Sequence, residues 1–496
     1  MAEVGYSSEY EVYLTEKNGV QIVINSLSLS ILKIMRSREV SPSDIAITLD
    51  VPKSTIQGNI SKLLHMGIVT QETRVGDARS VVYHIGAMLL FCSDTDVDWQ
   101  FSARAASVAR IINNGRCTSR EDLSLYAASL TESGLNITQG LFNVGAALTR
   151  NINDPAWINR MLSNMVNQCK PYGIQTSMDT NDGLNLVFRS ENKDISDIPM
   201  IVVPMLGAIV SNANRLIGYN LSHEVSLKVT EGGHRVDIHV AMYEGQEYDS
   251  SMHISLNNIP PRIDEPFSIY SVHGKAVLFQ NPTMMSVLDC LCSSDYSLNE
   301  LENVTNLSKA TIYAAITKLV SMGAVDTLKE QGTVMKYHLS ADPILFLTDA
   351  NLDGIKKLKD ISYNFQKGYI DYYSAVISFA MISIECLGIH FDKMFVRAGR
   401  NTAVSVLEIN PSIQPQEIVD LACNMVSVPD YAHVETYIPI RLRITLSQST
   451  LWESWPSDFV LGFISEGLTH LVGKGYKTIV EVRREGEDSP YAVISA

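Results

Sequence analysis

The chain repeats itself. Residues Val51–Val69 and Leu307–Val325 are identical at nine of 19 positions, at a constant offset of 256. The match runs back without a gap to Asn25 and Asn281, giving 14 identities in 45. Tyr83-His84 returns as Tyr337-His338 at offset 254, because the second copy has a shorter turn. Further on, Leu206, Gly207, Ile209, Leu216, Gly218 and Val225 return as Leu461, Gly462, Ile464, Leu471, Gly473 and Val480, all at offset 255. Chance could supply one such anchor, whereas a duplicated two-domain unit explains all three. The halves are joined by the polar stretch 245–265, which contains Pro260-Pro261. A length of 496 residues leaves room for about three or four domains. The repeat divides it into 1–90, 91–250, 266–345 and 346–496.

Each half opens on a predicted hairpin. In the first, residues 10–14 and 20–24 flank Asn18-Gly19, a strong turn signal; in the second, 267–272 and 276–279 flank Gly274. Residues 26–36 are helix-compatible. Ser41-Pro42-Ser43-Asp44 then reads as a helix start, with a capping serine, proline at the first helical position and aspartate three residues after the cap. The box Ser297 to Glu300 repeats it. A third helix is predicted over 53–66. Its apolar positions Ile56, Ile60, Leu63 and Gly67 recur at four, three and four, which makes one buried stripe. Gly67 and Gly323 suit the left-handed position that ends such a helix. Two β-rich stretches follow, 68–73 and 81–85, around a turn containing Gly76-Asp77.

Helix, helix, turn, helix, hairpin, with Thr55-Ile56, Leu63 and Gly67-Ile68-Val69 in one copy and Ser308, Thr311-Ile312, Leu319 and Gly323-Ala324-Val325 in the other, resembles the ArsR/MarR-type winged helix-turn-helix regulators. That resemblance implies a transcription regulator that binds double-stranded DNA. The third helix would enter the major groove, with base edges read near its N-terminus and phosphate met by its amides and nearby cations. In the first copy the candidate contacts are Lys53, Ser54, Thr55, Gln57, Gly58, Ser61 and Lys62, joined by Arg74 and Arg79 on the wing. Gln57 suits an adenine edge. Gly58 costs about 1 kcal/mol relative to Ala within a helix, and close approach to DNA is one reason for its presence. The second copy offers Lys309, Thr311, Tyr313, Lys318 and Lys336, with Tyr313 standing where the first has Gln57.

Formal charge is −15, which excludes a globally basic nucleic-acid coat but not a local basic face. Residues 25–85 carry seven Lys+Arg against five Asp+Glu, whereas 281–339 carry four against six and no arginine. The first copy is therefore the better expected DNA reader. The second is expected to read a different half-site, bind weakly or only pack.

The second module of each half is helix-rich over 98–150 and 352–407, and residues 375–387 are apolar nearly all round, as in a buried helix. In the first half, strands 173–178 and 183–189, a helix 200–217 and strands 224–229 and 235–242 follow. In the second, a strand 438–446, a helix 458–472 and strands 478–484 and 491–495 follow. The glycines of 459–476, with the helix centres at Gly145 and Gly399, resemble vinyl-reductase-type sensor domains. This implies an α+β small-molecule sensor attached to the DNA-binding module. Several members of that family hold zinc through cysteines in the closing hairpin, and residues 234–239 and 490–495 contain none. Taken singly, Gly207, Gly218, Gly462 and Gly473 need do no more than allow helix–sheet packing and helix termination.

Nucleotide loops, His-Glu-x-x-His and Cys-x-x-Cys are absent, so no enzyme activity and no cofactor or metal are expected. Cys290 and Cys292 are two apart on a helix and point to different sides, and His84 and His338 read as structural groups on the wing strand. Seven scattered cysteines and an N-terminus without a secretory pattern suggest a cytoplasmic protein. The expected fold is thus α+β: a duplicated winged helix-turn-helix, each followed by a helix-rich sensor-like domain. DNA and a small effector are the expected partners, a second copy is a further candidate, and no membrane is expected. The rival readings are a winged-helix protein-interaction scaffold without DNA binding and a ligand- or haem-carrying, enzyme-like protein.

Overall fold

The computed structural model describes residues 6–7, 9–15, 18–37, 40–73, 81–93, 98–149, 174–179, 183–191, 195–196, 198–217, 221–244, 266–293, 295–328, 335–350, 354–425, 432–437, 440–445, 455–472, 479–483 and 491–495, with scattered positions between 152 and 167. It is an α+β protein of helices and antiparallel sheets. The chain forms two compact units. One gathers Met1–Thr95, Asn258–Asn351 and Leu387–Met394; the other gathers Asp96–Asn257, Leu352–Cys386 and Phe395–Ala496. Both three-helix segments thus fall in the first unit.

In that unit, strands Glu11–Thr15 and Gly19–Val23 form the first hairpin, and Gly19 takes the left-handed turn position at φ 66°. Helices Ser26–Ser37, Pro42–Leu49 and Lys53–His65 follow, then strands Val69–Thr73 and Val81–Ile85. A strand that sequence reading missed, Met88–Ser93, returns to pair with Glu11–Thr15. The second half repeats the order. Strands Phe267–Val272 and Lys275–Phe279 precede helices Pro282–Ser293, Leu298–Thr305 and Lys309–Ser321. Strands Val325–Leu328 and Lys336–Leu339 come next, and Asp342–Leu347 returns to Phe267–Val272. The pairing Val40↔Tyr83 of the first half recurs as Tyr296↔Tyr337 in the second. The short strand Tyr6–Ser7 pairs with Ala276 and Val277, so the N-terminal half adds a strand to the second half's sheet.

Local chemistry accounts for these elements. The Ser41 hydroxyl accepts from the Asp44 amide while the Asp44 carboxylate accepts from the Ser41 amide at 3.0 Å, and Pro42 stands in the first turn. Ser297 and Glu300 make the same box, with the Ser297 amide donating at 2.7 Å. Both second helices end in a left-handed residue, Asp50 at φ 52° and Asn306 at φ 57°. The third helices bury Ile56, Ile60 and Leu63 in one copy and Ile312, Ala315, Ile316 and Leu319 in the other. Each larger side chain so buried stabilises the unit by about 1.5–3 kcal/mol.

The second unit contains helices Asp98–Asn114, Ser119–Glu132, Thr138–Leu148, Ile198–Ile217, Gly354–Gln366, Tyr372–Cys386, Pro415–Asn424 and Trp455–Val472, with most of Asp392–Ile409. Helix Ser119–Glu132 is buried from Glu121 to Thr131 and packs against Tyr372–Cys386, which is buried from Ala375 to Ser383. Strands Gln175–Asp179, Leu184–Arg189, Leu221–Thr230 and Arg235–Glu244 form one four-stranded sheet. Ala432–Tyr437, Ile440–Thr445, Ile479–Arg483 and Tyr491–Ser495 form another. The strand expected over 438–446 is present as Ile440–Thr445, and a further strand, Ala432–Tyr437, precedes and pairs with it.

The repeated glycines sit at helix–helix crossings, not at helix–sheet contacts. A Cβ on Gly145 would lie 1.9 Å from the Pro204 carbonyl oxygen, and one on Gly207 would lie 1.9 Å from that of Phe142. In the second half a Cβ on Gly399 would run into the Phe459 carbonyl oxygen, and one on Gly462 into that of Val396. Two backbones approach this closely only where a glycine leaves no side chain between them. Gly218 and Gly473 lie outside the described residues.

Candidate nucleic-acid interface

Helix Lys53–His65 has one buried row and one solvent row. Ile56, Ile60 and Leu63 fill the core, and this fixes the rotation of the helix. Lys53, Ser54, Thr55, Gln57, Gly58, Ser61 and Lys62 are consequently all exposed. Nothing lies within 4 Å of where a Cβ on Gly58 would stand, so packing does not demand glycine there. Pro52 occupies the cap position and contributes no side-chain hydrogen bond, while its carbonyl accepts from the Thr55 amide at 2.9 Å and the Ile56 amide at 3.2 Å. Among the described residues Lys53 and Lys62 have no carboxylate partner, although Asp50 is exposed on the turn just before the helix. Arg74 and Arg79 lie outside the described residues.

The counterpart Lys309–Ser321 is oriented alike, with Lys309, Thr311, Tyr313 and Lys318 exposed. Its N-terminus differs. The Ser308 hydroxyl accepts from the Thr311 amide at 3.2 Å and contacts the Thr311 hydroxyl at 2.8 Å. Lys309 is held by Glu302 at 3.3 Å. Tyr313 is 58% exposed in the place of Gln57. Lys336 is half-buried on the hairpin strand. At matching positions the second face therefore has a serine-capped helix start, a cation paired with Glu302 and an aromatic side chain, where the first has proline at the cap, a cation with no carboxylate partner among the described residues and an amide.

The two hairpin histidines bond within the protein. His84 Nε2 meets the Thr70 hydroxyl at 2.7 Å on the neighbouring strand, and His338 Nδ1 meets Asp295 at 2.7 Å. Burial, with the nearby Asp289, raises the Cys290 thiol above its ordinary range; burial pushes Cys292 up to about 11, and its sulfur lies 3.6 Å from the Tyr270 hydroxyl. Neither is a thiolate near neutrality. Among the described residues no group of three or more His, Cys, Asp and Glu side chains could hold a metal, and no helix is long and apolar enough to cross a membrane. No family model, no curated protein and no solved structure matches this chain.

Proposed function

We propose that this chain is a DNA-binding transcription regulator whose two halves each present a winged helix-turn-helix, with a small ligand acting on the second unit. The observation that carries this reading is the solvent row of helix Lys53–His65: two cations without carboxylate partners among the described residues, an amide, small hydroxyls and a glycine beside a helix start that no side chain caps. Such a surface suits phosphate at the helix terminus and base edges along the first turns. Gln57 matches an adenine edge and Lys53 and Lys62 match phosphates. The unlike faces of the two helices call for an imperfect palindrome or two unlike half-sites. The ligand would act by binding one arrangement of the molecule more tightly than another.

Selection from a random double-stranded DNA pool tests this reading. The expected product is a site with two unlike halves about 10 bp apart, or a multiple of that, for a pair docked on one DNA face. Retention should fall steeply with salt, and Lys53→Glu combined with Arg79→Glu should abolish it at moderate salt. Absence of retention on any DNA overturns the proposal. A protein-interaction role is favoured for the second module alone, where Glu302 holds Lys309 and Ser308 covers the helix end.

A further inference from the structure

We infer that the second compact unit contains a binding site for a small anion, a carboxylate or a phosphate, built on Arg104 and Ser107. Arg104 lies in the middle of helix Asp98–Asn114 and is completely buried. A guanidinium has five N–H donors and no acceptor, so a buried one needs several oxygen partners. The side chain meets one carboxylate, Glu132, through Nη2. The same Glu132 oxygen also accepts from the Asn401 side chain at 3.3 Å. Among the described residues Nε and Nη1 of Arg104 have no acceptor. One turn along the same helix, Ser107 is completely buried and its hydroxyl has no partner among the described residues either. Residues three apart share a helix face, so Arg104 and Ser107 leave the helix on the same side.

Each buried donor left unpaired costs about 1–3 kcal/mol, and more when it is charged. The charge of Arg397 also acts on Arg104, and that repulsion adds to the cost of burial in disfavouring the protonated guanidinium. An anion would relieve both terms and supply the missing acceptors. Packing alone does not call for the arginine. The counterpart helix Gly354–Gln366 buries Gly354, Leu358 and Ile361 and no charged side chain. A planar fork beside a hydroxyl suits a carboxylate or a phosphate, both of which accept two parallel N–H bonds.

Calorimetric titration of the full chain with sodium phosphate and with sodium acetate, against sodium chloride at equal ionic strength, decides the matter. Saturable heat with phosphate alone identifies a phosphorylated ligand; heat with acetate alone identifies a carboxylate. Ser107→Ala should weaken binding about tenfold, the loss of one hydrogen bond to a charged group. Arg104→Lys keeps the charge but not the fork, and should weaken it at least as much. The double variant Arg104→Met/Glu132→Leu removes the ion pair without stranding either charge, and should fold and bind neither anion. No saturable heat with either anion, or affinity unchanged in Ser107→Ala and Arg104→Lys, overturns the proposal. No DNA is present in these titrations, so the anion site and the DNA reading can each fail alone.

Discussion

Gly145 and Gly58 are both interior glycines of helices, and they do opposite things. Gly145 lets two backbones touch: an added Cβ would stand 1.9 Å from the Pro204 oxygen, and neither helix can yield without moving the other. Gly145→Ala should therefore cost about 3 kcal/mol in urea unfolding. Gly58 touches nothing. Gly58→Ala should stabilise the chain by about 0.5–1 kcal/mol, because glycine loses the most backbone freedom in a helix. Under the proposed function the same change weakens DNA retention, since a methyl then occupies the face turned to the groove. A third residue sets an acid limit. His223 lies in strand Leu221–Thr230 against the Phe142 ring, at 5.9 Å, with neither ring nitrogen hydrogen-bonded among the described residues. Burial lowers it to about 4. The folded protein favours the neutral ring, so the unfolded chain takes the proton first. Stability from this source is complete above about pH 6.5 and is lost as pH falls toward 4, by on the order of 3 kcal/mol. Denaturant midpoints at pH 7 and pH 4.5 should differ less in His223→Leu than in the parent; an equal difference would show that His223 contributes nothing.

At the scale of elements, the starts of the second helices rest on their capping boxes. Ser41→Ala and Ser297→Ala should each cost about 1 kcal/mol, read from thermal or urea unfolding. These boxes were legible in the sequence because a cap is a local bond between residues three apart. So were the left-handed Gly67 and Gly323, at φ 76° and 75°, and the buried stripe of the third helix. Strand Met88–Ser93 was not legible: Met88-Leu89-Leu90-Phe91 has no apolar–polar alternation. What makes it a strand is Glu11–Thr15, more than 70 residues earlier. The Arg104–Glu132 pair was equally hidden. A lone arginine in an amphipathic helix looks solvated, and its burial depends on which helix faces it. The exposed row of Lys53, Gln57 and Lys62 could be read because its complement, the apolar stripe, is periodic.

At the scale of the whole molecule, each compact unit draws segments from both halves of the chain. Neither half can complete its own surroundings. The strand Tyr6–Ser7 pairs with Ala276–Val277, and helix Ser119–Glu132 buries itself against Tyr372–Cys386. A fragment comprising residues 1–255 would expose those faces. It should dimerise through them or aggregate, and a stable, monodisperse monomer by light scattering would contradict the described packing. The interleaving was not visible in the sequence, because a repeat offset says that two segments are alike and nothing about which one touches which.

The strand given by the first half to the second has a consequence for how such a molecule behaves when it is scarce. Two separate polypeptides meeting through such surfaces would part on dilution, and their pairing would rise and fall with synthesis. Here covalent continuity replaces encounter. A single copy carries its own counterpart, and each half is free to drift in what it faces while the other keeps its shape.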